Sequence, residues 1–366
     1  MVKVLYISNY SDSTGWGNAA AMSIRALDSA GIKVVPRAIT FNGYAGRLNT
    51  HPRILELEEN DLSNIDVCIQ HALPTNYFYH SNFKNIARYE TETFDLSYSK
   101  WPNYINLLDE AWVPNKQAYD ASIFSGVNRK VNIAHHCIDM DRFGKIEKTW
   151  NSDALKNSFN FCFVGELVSR KNLSALLKAF HIEFHPSENV NLVCKTNSPG
   201  LDSEKSLQKF EELNNFVTSG LKIRSRYKEP LSISGMLPEN TLLSIMKHCH
   251  CFVCPSYGEA WCIPALEAMA VGMKVIYVDG TGLEEFAVGE RVKSRRAPCF
   301  GTADALPEIY TSFDEWCEVD IFSLREKMRF MYNKFFDDST DWGSASIEKA
   351  KTFDYRIVGK EIGALL

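Results

Sequence analysis

The chain has 366 residues, with 40 Lys or Arg against 45 Asp or Glu, for a formal net charge of -5. That length exceeds one ordinary domain and sets two as the expectation, while the acidic total supplies no general attraction to nucleic acid or to an anionic membrane. The start, MVKVLYISNY, lacks the apolar stretch of a secretory leader, and no later run has the length of a spanning helix, so a soluble, cytoplasmic protein is expected. In chain order, Lys3 to Ser8 reads as a strand. A Gly-bearing loop, Ser13 to Gly17, leads into a helix over Asn18 to Ser29, with Asn18 as a candidate cap. Gly31 ends that helix, and Lys33 to Pro36 begins the next strand. Further strand-like runs follow at Asp66 to Gln70, Asn85 to Tyr89, Glu110 to Val113 and Lys130 to His135.

The polar stretch that ends at Ser158 marks a linker, placed at 146–158, after a first domain over 1–145. A second strand-helix alternation begins at Phe159 to Val164. It continues through Asn191 to Cys194, Leu231 to Ser234, Cys251 to Cys254 and Lys274 to Val278, setting a second domain over 159–345. Such alternation predicts an α/β protein of two Rossmann-like domains with parallel sheets. Ligands of open parallel sheets bind beyond the carboxyl ends of the strands, so the chemistry is expected in a cleft between the two halves. The remainder, 346–366, is taken as the terminal segment, with a helix from Tyr355 to Leu366.

The most informative stretch is CFVCPSYGEAWCIPALEAMAVG, Cys251 to Gly272. Its apolar start reads as a short buried strand, and Pro264 suits the first turn of a helix on which Leu266, Met269 and Ala270 share a face. Glu259 then lies on the loop and Glu267 in the first turn of the helix. Free N–H groups at such a junction attract phosphate, so carboxylates beside them are better suited to binding hydroxyls, and a ligand carrying both groups is implied.

In FVGELVSRKNLSALLKAF, Phe163 to Phe180, a strand ends at Gly165, a loop carries Arg170 and Lys171, and Asn172 is placed to cap a helix. Taken alone, two such cations are a solvated face. The loop DGTGLEEF sets Thr281 and Gly282 before another helix, where a phosphate-facing turn and an ordinary turn are both open readings.

Near the start, Gly15, Gly17 and Ala20 fit a Gly-x-Gly-x-x-Ala pattern, but the second strand, VVPRAITFNG, ends without the acid that a nicotinamide cofactor needs. A small-residue loop open to a ligand is the better reading. His71 and Glu90 follow their strands and project toward the same edge, with Glu92 the rival of Glu90 and a purely structural role still open for His71. The cluster His248, Cys249, His250, Cys251 and Cys254 resembles a set of metal ligands, yet a strand there would point its side chains to opposite faces. The ten cysteines, such as Cys68, Cys162 and Cys194, suit reduced core residues better than a disulfide framework.

The Glu, seven residues, Glu pattern followed by Leu-Glu-Ala-Met-Ala resembles the retaining GT-B glycosyltransferases of family 4 type, the glycosyl transferases group 1. The resemblance implies two facing Rossmann-like domains, with a last helix that crosses back to the first. It places Glu259 beside the donor sugar, Glu267 on the ribose, and Arg170 with Lys171 on the diphosphate. Gly165, Thr281, Gly282 and the turn Ala260, Trp261, Cys262 and Ile263 complete the donor site. Gly15, Gly17 and His71 fall to the acceptor or sugar, and Glu90 to a catalytic contact. Ala260 and Cys262 replace glycines usual in the family, Glu166 stands where many members have Arg, and Asp139 lies in a segment that resembles the family's His-Gly-Val-Asp.

The implied activity moves a sugar from a nucleoside-diphosphate sugar to a hydroxyl acceptor of unspecified class, with retention. No cofactor and no metal is called for, since Arg170 and Lys171 neutralise the leaving diphosphate. Asp139 and Asp141 mimic an Asp-x-Asp metal pair, but they precede the linker. Two alternatives remain: transfer to modified DNA bases, for which KIRSRYK (Lys222 to Lys228) and RVKSRR (Arg291 to Arg296) offer cations, and a non-catalytic carbohydrate-binding protein of this fold.

Overall fold

A computed structural model describes residues 2–12, 14–40, 50–144, 146, 150, 153–302 and 310–366. Residues 147–149, 151 and 152 of the stretch 146–158 expected as a linker, and Ser13 of the first loop, lie outside the described residues. The chain forms two compact units: Met1–Met140 with Ala305–Glu315 and Thr352–Leu366, and Asp141–Asp304 with Trp316–Lys351.

In the first unit six strands, β1 (Lys3–Ser8), β2 (Lys33–Ala38), β3 (Val67–His71), β4 (Lys84–Arg88), β5 (Glu110–Val113) and β6 (Lys130–Ile133), form one sheet in the order β2-β1-β3-β4-β5-β6. All neighbours are parallel. Every residue of β3 is buried, as expected of a sheet covered on both faces. The order reverses direction at β1 and β3. In register, Ser8 sits opposite His71, and His71 opposite Arg88, so these residues gather at the carboxyl edge near the reversal.

The helix Gly15–Ser29 is capped by Thr14, whose hydroxyl accepts from Gly17 N–H at 3.1 Å, so the cap expected at Asn18 is moved to the residue before the helix. The terminal helix Tyr355–Gly363 packs on it and buries Val358 and Ile362. Its glycine is explained by that contact: a Cβ on Gly359 would lie 2.1 Å from the carbonyl oxygen of Ala26. Asp354 caps this helix and also accepts from Met140 N–H at 3.1 Å, fastening it to the end of the sheet domain.

The second unit repeats the plan with β7 (Phe159–Glu166), β8 (Val190–Asn197), β9 (Leu231–Ser234), β10 (Cys251–Cys254), β11 (Lys274–Val278) and β12 (Gly289–Val292). Their order is β12-β11-β10-β7-β8-β9, again parallel throughout. Here the reversal falls between β7 and β10. The loops that leave these two strands at their carboxyl ends are therefore adjacent, and they are the ones that carry Arg170 with Lys171, and Glu259. Among the described residues no helix is long and apolar enough to cross a membrane.

Candidate functional site

In the second unit, Lys171 Nζ lies 2.6 Å from Glu259 Oε1, although 88 residues separate them. The Ser256 hydroxyl donates to the same oxygen at 2.7 Å, and Arg170 Nη1 stands 3.5 Å from Oε2. The two loops are stitched by their backbones. Arg170 Nη1 donates to Gly258 O at 2.7 Å, Tyr257 N–H to Arg170 O at 2.9 Å, and Asn172 Nδ2 to Pro255 O at 3.2 Å. Asn172 has φ 49° and makes no side-chain cap, so the capping role expected of it is replaced by this tie between loops.

Glu259 is only 4% exposed. Burial alone raises its pKa, but the attraction of Lys171 and Arg170 with the two hydrogen bonds outweighs that, and the carboxyl is held below its ordinary value. Lys171 is likewise penalised by burial, yet the Glu259 carboxylate holds it above its ordinary value. Two cations thus converge on one buried carboxylate, and an anion brought beside them would meet both charges.

Around this cluster the helix Ile263–Ala270 follows a turn in which Cys262 adopts φ 69°, a left-handed conformation that favours glycine. Ala260 and Trp261 are buried, with the Trp261 ring 4.9 Å from that of Phe286. Ile263 is half-buried at the start of the helix. Gly282 N–H donates to Glu259 O at 2.8 Å, and the Thr281 hydroxyl to Val278 O at 2.7 Å, so both support the loop. Gly165 is the next-to-last residue of β7, where a Cβ would lie 3.0 Å from the Phe163 ring and 3.8 Å from the Lys171 chain. Glu267 lies on the helix and engages Arg142, 3.7 Å away, which also pairs with Glu239. Burial raises the Glu267 pKa against the pull of Arg142. Arg142 had no signal in the sequence beyond being a cation near the linker. At the ends of β8 and β9 a hollow of about 460 Å³ is lined by Asn197, Ser198, Asp202, Gly235 and Met236 among others.

In the first unit His71 is fully buried, accepting from the Tyr6 hydroxyl at Nδ1 (2.9 Å) and donating from Nε2 to Glu90 Oε1 (2.8 Å). His136 Nε2 reaches the same oxygen at 3.1 Å, and its Nδ1 lies 3.5 Å from Arg88 Nη2. Burial pushes both imidazoles down, His136 to about 4, so both are neutral near pH 7. Glu90 is raised by burial but lowered further by the two histidines, and stays ionised. Its Oε2 is buried without a hydrogen-bond partner.

His136 carries no motif or spacing that marks it in the sequence. Asp139 instead pairs with Arg25 at 2.8 Å, and Glu92 bonds to Tyr310. Gly17 is demanded by the chain itself, since a Cβ there would lie 2.3 Å from Asp12 Oδ1, whereas around Gly15 there is open space.

Of the metal-like cluster, His248 bonds to Trp150 O at 2.7 Å and His250 Nδ1 accepts from Asn160 N–H at 3.0 Å, which commits them to structure. Among the described residues one group has suitable ligand atoms within 4.8 Å of each other: Cys254, Glu259 and Cys262. In the basic runs, Arg224 and Lys228 donate to the carbonyls of Phe184 and Glu188, while Arg291 faces Asp279 and Arg295 faces Glu318. Those cations are already engaged.

The model of the family described as Glycosyl transferases group 1 matches residues 145–291. Comparison with curated proteins finds no match by sequence. Solved structures do resemble the whole chain. One is Anabaena Alr3699/HepE in complex with UDP and glucose, at 13% identity, with 100% of this chain and 99% of that chain covered and a TM-score of 0.64. Another is sucrose-phosphate synthase from Thermosynechococcus elongatus, at 15% identity, 100% and 98% coverage and a TM-score of 0.66. A third is the UDP-forming alpha,alpha-trehalose-phosphate synthase from Burkholderia xenovorans in complex with glucose-6-phosphate, at 10% identity, 98% coverage of both chains and a TM-score of 0.66. The chain thus has the GT-B fold, and its residues 145–291 match the model of the glycosyl transferases group 1.

Proposed function

We propose that the protein transfers a glycosyl group from a nucleoside-diphosphate sugar to a hydroxyl acceptor, with retention of configuration and without a metal ion. The observation that carries this reading is the convergence of Lys171 and Arg170 on the buried Glu259 carboxylate, at the loops leaving β7 and β10. As the bond from the sugar C1 to the diphosphate breaks, charge grows on the leaving oxygen. Lys171 and Arg170 stabilise that charge more in the transition state than in the ground state. The acceptor oxygen bonds to C1 on the same face, and its proton passes to the departing phosphate oxygen. Glu259, held ionised, accepts hydroxyls of the donor sugar, and Glu267 accepts the ribose hydroxyls after exchanging its contact with Arg142.

The hollow at the ends of β8 and β9 has room for the base. HepE is described with UDP and with UDP-glucose, which makes a uridine donor the first to try. In the first unit, the unpartnered Oε2 of Glu90 suits an acceptor hydroxyl or the sugar. The test is a panel of sugar nucleotides and hydroxyl acceptors, scored by nucleoside diphosphate released. Acceptor-dependent release that is unaffected by chelator supports the reading, and binding without release from any donor makes the protein a carbohydrate-binding relative that lacks turnover.

A further inference from the structure

Cys254 closes β10 and Cys262 opens the helix Ile263–Ala270, and the loop between them carries Glu259. Their sulfurs lie 3.8 Å apart, both in buried residues. Ser256 touches both ends of this arrangement: its Oγ is 3.5 Å from the Cys254 sulfur and donates to Glu259 at 2.7 Å. Cys262 sets the left-handed turn that launches the helix bearing Glu267. With Glu259, the two sulfurs present three ligand atoms suited to a soft cation. Lys171, however, already occupies Glu259 Oε1 at 2.6 Å, and Arg170 stands over the other oxygen, so a divalent ion would meet two fixed positive charges. The hydrogen bond between the two sulfurs, helped by Lys171 and Ser256, lowers the Cys254 thiol against its burial and the Glu259 charge, whereas burial pushes Cys68, Cys194 and Cys251 up.

We propose that Cys254 and Cys262 are a redox pair, which a peroxide converts to a disulfide that disables the Glu259 loop and a dithiol restores. The Cys254 sulfur attacks the O–O bond of hydrogen peroxide, becoming a sulfenic acid and releasing water. The Cys262 sulfur then attacks the sulfenic sulfur and expels a second water, so two electrons and two thiol hydrogens leave the pair. The sulfurs must close from 3.8 Å to about 2.05 Å, a movement that draws Cys254 away from Ser256 and pulls on the turn at Cys262. A reducing dithiol reverses the bond by exchange and is itself left as a disulfide.

The loss of transfer rests on the function proposed above, but the bond does not, and the experiment separates them. The full-length protein is treated with hydrogen peroxide in the presence of chelator, free thiols are alkylated, and the chain is cleaved after Glu259, which parts the two cysteines. The expected result is a Cys254–Cys262 cross-linked peptide pair that dithiothreitol separates. It should appear together with a loss of diphosphate release on the order of 100-fold, the cost of displacing a reactive group by about 1 Å. In Cys254→Ser, Cys262 should stay alkylatable and activity should resist peroxide. The proposal is overturned if both cysteines remain alkylatable, if either pairs elsewhere, or if Cys254→Ser is inactivated as fast as the unaltered protein. A mapped disulfide in a protein with no transfer activity when reduced would sustain the redox pair and sink the proposed function.

Discussion

Replacing Lys171 with Met keeps the length of the side chain and removes its charge, leaving the Glu259 carboxylate with Ser256 and a more distant Arg170. Breaking a buried ion pair from one side costs about 3–5 kcal/mol. Lys171 is about one-fifth exposed and two partners survive, so the expected loss at pH 7 is nearer 2–3 kcal/mol. The sign with pH follows from Glu259. In the unaltered protein its folded pKa is lowered, so its contribution is present above the ordinary carboxylate value and is lost as pH falls through the folded one. In Lys171→Met, burial is opposed by less charge and the folded pKa rises. The variant's deficit should therefore shrink between pH 7 and pH 4.5, as Glu259 takes up a proton. Urea unfolding at these two pH values measures it, with Lys171→Met combined with Glu259→Gln as the fourth corner of a cycle. The double variant should recover most of the loss, because it buries neither charge. Equal stability of Lys171→Met and the unaltered protein at pH 7, or no coupling in the cycle, would refute the electrostatic account. In transfer assays the same variant should lose about 10²–10³ in kcat, the cost of removing one preorganised charge partner of the leaving group.

Glu259→Gln should impair transfer while largely sparing nucleotide affinity, whereas Glu267→Ala should weaken the nucleotide itself, as read from kcat and binding measured separately. Gly359→Ala should lower stability by about 1–3 kcal/mol, because its Cβ would meet the Ala26 carbonyl 2.1 Å away; an unchanged urea midpoint would contradict the packing of the terminal helix. His136, pushed by burial to about 4, must gain a proton on unfolding below pH 6.5, so stability should fall from pH 6.5 towards 4 by an amount on the order of 3 kcal/mol. His136→Gln should flatten that slope in unfolding experiments, and a parallel slope would remove the neutral, buried imidazole. EDTA should leave transfer unchanged, and restoration of an EDTA-treated sample by a divalent ion would overturn the metal-free mechanism.

Strands buried on both faces were the most legible part of the chain. The reading of Glu110–Val113, Cys251–Cys254 and Lys274–Val278 coincides with the observed bounds, since sandwiching between helices demands short continuous apolar runs; Leu231–Ser234 also coincides, as a half-buried edge strand. By contrast, β7 and β8 run on to Glu166 and Asn197. Their polar ends continue the pairing of Val164 with Lys195 and Gly165 with Thr196, which needs only backbone groups. Two caps fall elsewhere than expected: Thr14, which precedes the helix, takes the place of Asn18, and Asn172 spends its side chain on Pro255. The meeting of Lys171 with Glu259 depends on sheet order, which brings the loops after β7 and β10 together across 88 residues. From sequence it was visible only as a likeness to a known motif. The contact of His136 with Glu90 had no such motif and no local periodicity to reveal it.

Calorimetric titration with a nucleoside, its monophosphate and its diphosphate, at fixed ionic strength and starting with uridine, asks whether Arg170 and Lys171 receive the donor diphosphate. Affinity should rise with phosphate charge in the unaltered protein, and the rise should collapse in a variant carrying Arg170→Met and Lys171→Met. Equal affinities across the three ligands, or an undiminished rise in that variant, would contradict the assignment of the two cations to the donor diphosphate.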